Sequence, residues 1–142
     1  MGLDQAMDIS VSAINANRIH MEIISSNLAN INTTRTVQGG PYRRKMPVFG
    51  EKPLEFSQAL TAAQKSLGGG IEVKEIADDP TPFQKVFNPG HPDADSDGFV
   101  SLPNVSMAKE MVDMVYVSKL YEANIVAYNA TKKMAQETLQ VQ

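Results

Sequence analysis

Every proline of this chain lies between Pro41 and Pro103, and every glycine but Gly2 lies between Gly39 and Gly98. Residues 3–38 and 104–142 therefore hold neither helix breaker. Glycine and proline punctuate helices more strongly than any other residues. The distribution predicts a long helix, an irregular or β-rich insert, and a second long helix. With 142 residues in all, the chain suits one domain of ordinary size, or a small one with accessory segments.

The first stretch has a seven-residue period. Met7, Ile14, Met21 and Leu28 form one row, and Leu3, Ile24 and Ile31 form its companion, the pattern of a coiled-coil seam. A second apolar face holds Ile9, Ala13, Ala16, His20 and Ile23. Only Asp4, Asp8, Arg18 and Glu22 carry charge between residues 1 and 32. A helix of that span is about 45 Å long, and one apolar on two faces is buried on both sides. Asn17 and Asn27 interrupt these rows. A buried amide must be paired, and in coiled coils such residues fix register. Thr33 and Thr34 are expected to end the helix by β-branching and backbone competition.

From Ser106, a plausible N-cap with Asn104 as its rival, a second helix is expected to about Leu139. Met107, Met114, Tyr121 and Tyr128 fall seven apart, Met111, Ile125 and Leu139 lie on the adjoining row, and Leu120, Ala127 and Met134 form a third. Its methionines read as adaptable packing surface.

Within the insert, Tyr42–Phe49 reads as a strand entering a turn at Gly50, and residues 54–66 as a short amphipathic helix stopped by Gly68-Gly69-Gly70. Ile71–Ile76 and Phe83–Phe87 are further strands. The only basic run, Arg43-Arg44-Lys45, reads as a solvated strand face or as a contact for an acidic neighbour or cell-wall polymer. It is too short for a nucleic-acid groove, and the formal net charge is −3.

Chemistry is thinly represented. The chain has no cysteine and two histidines, His20 and His91, which excludes a disulfide framework, a thiolate metal site and a cysteine nucleophile. Asp93-Ala94-Asp95-Ser96-Asp97-Gly98 copies the opening of a calcium loop, but the twelfth position is Asn104 and no entering helix precedes it. An Asx-rich turn, with carboxylates bonding backbone N–H groups, is the expectation there. Gly68-Gly69-Gly70 lacks the rest of a phosphate loop. No nucleophile motif is present, so the chain reads as a non-enzyme without cofactor or metal. No apolar run is long enough to span a membrane, and the start shows no cleavable secretory signal.

Ser26-Asn27-Leu28-Ala29-Asn30-Ile31-Asn32-Thr33 resembles the N-terminal signature of bacterial flagellar rod and hook proteins. More specific are Asn88–Asp95, Asp97–Val100, Leu102–Val105, Glu110–Met114, Tyr121–Asn124 and Ala127–Lys132, which resemble the proximal-rod branch of that family. Phe99 stands where the family often has Tyr. The resemblance spans the chain except a stretch near residues 50–70.

The resemblance implies a mainly α fold with a β insert. Helices 1–32 and 106–142 would pair as an antiparallel coiled-coil hairpin, with a small β-rich domain at 33–105. It implies a structural subunit of the basal-body rod that polymerises into a helical tube, surrounds the export channel and transmits torque across the periplasm. Implied partners are copies of itself, other rod and ring proteins, and the flagellar type III export apparatus. No nucleic acid, membrane span or cleaved signal is implied. The expected assembly interface is Met7, Ile14, Met21, Ile24 and Leu28 with Met111, Met114, Tyr121, Ile125 and Tyr128, while Arg43, Arg44 and the 88–104 loop reach neighbours. The rival reading is a soluble helical adaptor or calcium-modulated binding module centred on residues 93–104.

Overall fold

A computed structural model describes residues 2–52 and 69–140. The order is helix α1 (Leu3–Ala29), strands β1 (Lys45–Glu51), β2 (Ile71–Asp78), β3 (Gln84–Phe87) and β4 (Phe99–Leu102), then helix α2 (Met107–Gln140). The chain is mainly α with a β insert, as the glycine and proline distribution predicts. The short helix expected at 54–66 lies outside the described residues.

Helix α1 ends earlier than Thr33. Asn30 leaves helical geometry at φ −101°, ψ 13°, and its side-chain amide donates to the Ser26 carbonyl at 2.9 Å. An asparagine that bonds the turn behind it competes with helix continuation. Thr33 completes the stop, its N–H donating to the Asn30 carbonyl at 3.0 Å. At the far end of the insert, the Ser106 carbonyl accepts the Glu110 N–H at 3.0 Å, which puts Ser106 at the cap position of α2.

Strands β1 and β2 pair antiparallel, with a bulge beside Val48 and Phe49. β1 begins at Lys45 and not at Tyr42, because the Tyr42 N–H is taken by the Thr33 carbonyl at 3.0 Å. It runs through Gly50 and does not turn there. The Lys74 side chain lies across Gly50 where a Cβ would stand, so glycine here serves close approach. Strands β3 and β4 form a separate antiparallel pair. β4 escapes the sequence reading, which takes these residues as loop.

The β1–β2 hairpin lies along α1, held near each end by one α1 side chain. Ser12 Oγ accepts the Ile71 N–H at 3.1 Å and donates to the Ile9 carbonyl at 2.7 Å. Some four turns later, Asn27 engages Lys45. The 15 residues from Ser12 to Asn27 rise about 22 Å, close to the length of a seven-residue strand. Gly70 sits against Ser12 at φ +103°, where an added Cβ would collide with the hydroxyl. Gly70→Ala combines backbone strain of about 1–3 kcal/mol with that collision. The expected result is a lowered urea midpoint, with Gly50→Ala milder because the Lys74 side chain can swing aside.

Candidate functional site

The best-defined polar site joins both helices to the insert. Asn27, near the C-terminal end of α1, spends all its hydrogen-bonding capacity in one place. Its Oδ1 accepts the Lys45 N–H at 3.0 Å and the Tyr42 hydroxyl at 3.0 Å. Its Nδ2 donates to the Lys45 carbonyl at 2.9 Å and to Glu110 Oε2 at 3.0 Å. The side chain thus pairs with the first residue of β1 as a neighbouring strand would, and an amide offers two acceptances and two donations for this.

Glu110, in the first turn of α2, is wholly buried at 0% exposure. Its second oxygen accepts from Arg44 Nε at 2.6 Å. Arg44 is 7% exposed and reaches Asp79 Oδ2 and Asp113 Oδ2, each at 3.4 Å. Asn104 closes the cluster: its Oδ1 accepts the Arg44 N–H at 2.7 Å and its Nδ2 donates to the carbonyls of Asp79 and Thr81. Among the described residues, every buried side-chain nitrogen and oxygen has a partner. A buried charge is tolerable only under that condition.

The charges hold one another. Burial opposes the Arg44 guanidinium, but the hydrogen bond and charge of Glu110, with Asp79, more than offset it and raise its pKa. Hydrogen bonds from the Thr81 side chain and backbone hold Asp79 below its ordinary value of 3.8, against burial and with help from Arg44. Asp79 therefore stabilises the fold above that value, and the contribution is lost as pH falls through the lower, folded-state pKa.

His20 meets the edge of Phe49 with ring centroids 5.6 Å apart. Burial lowers its pKa from 6.5; Asp113 and Glu110 act in the opposite direction, and Arg44 adds to the lowering. The fold thus favours neutral imidazole. Stability is full above pH 6.5 and declines as pH falls toward the folded-state value, because the unfolded chain then binds more protons. Thermal unfolding followed from about pH 8 to about pH 5 should show this decline. His20→Gln should flatten it.

The expected assembly residues divide by burial. Ile24 is buried, whereas Met7, Ile14, Met21 and Leu28 are half-buried along α1. Met114, Tyr121, Ile125 and Tyr128 are half-buried on α2, and Met111 is exposed. Of the basic run only Lys45, the first residue of β1, is exposed on a strand; Arg43 and Arg44 are not a solvated strand face. Arg44 is drawn inside by three carboxylates, while half-buried Arg43 stacks over Phe83 at 4.4 Å and donates to the Asp79 carbonyl at 2.9 Å. Both guanidiniums are engaged within the chain.

The Asx-turn reading of 93–98 also needs correction. Backbone bonds close this turn: Gly98 N–H to the Asp95 carbonyl and Asp95 N–H to the Phe99 carbonyl, both 2.8 Å. Gly98 supplies the positive φ of +79°. The Asp93 carboxylate instead accepts the Thr34 hydroxyl at 2.8 Å and tethers the loop to the segment after α1. Asp95 and Asp97 are exposed.

The helical members of the polar cluster fall within segments matched by family models, while Arg44 and Asp79 lie between those segments. A family model described as "Flagella basal body rod protein" matches residues 7–35, and one described as "Flagellar basal body rod FlgEFG protein C-terminal" matches residues 96–141. Asn27 lies in the first segment and Glu110 in the second.

The chain is 41% identical to the flagellar basal-body rod protein FlgC of Bacillus subtilis, over 96% of this chain and 95% of that protein. It is 35% identical to FlgC of Borreliella burgdorferi, over 99% and 98%, and 34% identical to FlgC of Escherichia coli O157:H7, over 98% and 97%. The chain belongs to the FlgC family of flagellar basal-body rod proteins, which are structural and not enzymes.

Proposed function

We propose that this chain is a proximal-rod subunit that polymerises with copies of itself and with other rod and ring proteins into the helical tube that carries torque around the export channel. Family membership supports the rod. The surface of α2 supports polymerisation. One side of α2 packs on α1 through Val117 and Glu110. Away from that side, Val112, Val115, Tyr116 and Val126 are each more than 60% exposed. A helix with apolar side chains on two opposite sides is one to be covered on both, and heterologous contacts that do not close generate filaments. Among the described residues no helix is long and apolar enough to cross a membrane.

In this reading α1 and α2 form an antiparallel coiled-coil hairpin. The meeting of Asn27 with Glu110 supports it, because it joins the end of one helix to the start of the other. Residues 1–32, 33–105 and 106–142 would be its three parts. Ile24 and Arg44 serve contacts inside the subunit, while Met7, Ile14, Met21 and Leu28, with Met111, Met114, Tyr121, Ile125 and Tyr128, line the helical seams and their margins. Arg43 and the 88–104 loop would lie near neighbouring subunits. The place of assembly is the periplasm-spanning basal body, reached through the flagellar export apparatus.

Val126→Asp tests the reading. The side chain is 67% exposed, so the folded monomer should lose no more than about 0.5 kcal/mol. The variant should be expressed and folded yet missing from isolated basal bodies. Normal incorporation would remove this face from the interface.

A further inference from the structure

The β1–β2 hairpin lies along one face of α1, and its two ends are held there differently. Ile9, Ser12, Ala16, His20, Ile23 and Asn27 recur every three or four residues, so they share that face. At one end the Lys45 N–H donates to Asn27 Oδ1 at 3.0 Å. There Arg44 and Asp79 are buried, and the Arg44 carbonyl accepts the Asp79 N–H at 2.8 Å, so both strands are tied into the charged cluster. Midway, half-buried His20 meets the edge of exposed Phe49. At the other end Ile71, which is exposed, donates its N–H to Ser12 Oγ at 3.1 Å. Pairing within the hairpin does not depend on that bond: Glu51 faces Ile71, and the Lys52 N–H donates to the Gly70 carbonyl at 3.0 Å. The bulge beside Val48 and Phe49 lies between the two ends, and a bulge is where a strand bends.

We propose that the β1–β2 hairpin is a hinged strap, fixed to the helices at Lys45 and released from α1 at Ile71, so that its Ser12 end lifts while the strands stay paired and the helices stay folded. A neutral, solvent-exposed hydrogen bond is readily exchanged for one to water, whereas separating the partners of a buried charge is costly. Opening therefore starts at Ser12 and stops short of Asn27. It uncovers Ile9 and then Ala16, and leaves Ile23 beneath the fixed end. The second apolar face of α1 is thus shielded by the chain itself, and the shield opens from one side.

One backbone amide at each end of the strap donates to an α1 side chain, which gives hydrogen exchange a matched pair of reporters. In the purified full-length chain, followed by NMR, the Ile71 amide should be at least about tenfold less protected than the Lys45 amide, with little dependence on low urea, as befits a local opening. Lys45 protection should fall with urea as global stability does. Glu110→Gln should lower Lys45 protection about tenfold or more, because it strands buried donors, and should leave Ile71 within about twofold, because the cluster is the same with the strap open or closed. The chain has no cysteine, so Ala16→Cys and Ile23→Cys each place a single thiol under the strap. Without urea, a small thiol reagent should label position 16 at least about tenfold faster than position 23, where access needs global unfolding. Ile71 and Lys45 losing protection together, in urea or in Glu110→Gln, would overturn the proposal. Equal labelling rates at positions 16 and 23 would do the same, since strap and helices would then open as one unit.

Discussion

Glu110→Ala should destabilise the folded chain by about 3–5 kcal/mol, the loss expected when one partner of a buried ion pair is removed. The substitution takes away the 2.6 Å acceptor of Arg44 Nε and an acceptor of Asn27 Nδ2 together. Arg44 would keep only Asp79 and Asp113 at 3.4 Å, and alanine leaves a gap too confined to hydrate both donors well. Against a typical total stability of about 5–15 kcal/mol, the loss should be plain in urea unfolding. Glu110→Gln preserves shape but turns one acceptor into a donor facing donors, so it should recover only part of the loss. A Glu110→Ala change under about 1 kcal/mol would mean that water reaches the site freely and that the cluster does not hold the insert to the helices.

Asn27→Leu should cost about 3 kcal/mol although it nearly conserves volume. Leucine strands the Lys45 N–H and carbonyl, the Tyr42 hydroxyl and one Glu110 oxygen, and each unpaired buried group costs about 1–3 kcal/mol before relaxation or hydration. Asn27→Asp keeps the acceptances but places a second carboxylate beside Glu110, so it should fare no better near neutral pH. Combined with Glu110→Ala, Asn27→Leu should be less than additive, because the two residues share one bond; a coupling of about 0.5–3 kcal/mol is the range for such neighbours. Strict additivity would contradict the picture of one connected cluster.

The long helices were legible because their evidence is local. Freedom from glycine and proline, with rows of Met7, Ile14, Met21 and Leu28, is enough to read α1. That Asn27 must be paired was legible, since an amide on an apolar row must find a partner. Its partner was not, because Glu110 lies 83 residues away and Arg44 another 66 from Glu110. A signal did exist: Glu110 shares a seven-residue row with Val117 and Asn124, an inward position for a charge. Arg44 was obscured by Arg43 and Lys45, since a basic run reads as solvated unless one member is known to turn inward. The turn at 93–98 misled for a related reason. Alternating aspartates suggest side-chain closure, whereas Gly98 in the left-handed region lets the backbone close the turn itself.

The cluster also bears on how far the insert can stand apart from the helices. A free-standing 33–105 unit would present Arg44 and Asp79 without Glu110 and Asn27 to complete their surroundings. The parts of α1 and α2 around Asn27 and Glu110 therefore belong to the same cooperative core as β1 and β2, and fraying in a free subunit should be confined to the distant helix ends.

A map of the intact basal body at side-chain resolution, by electron cryo-microscopy, tests the central claim most directly. The account predicts that neighbouring subunits' helices cover Val112, Tyr116 and Val126, while the Arg44–Glu110–Asn27 cluster stays within one chain. A map in which those three side chains face open solvent or the channel, or in which Glu110 pairs with a neighbouring subunit, would contradict it.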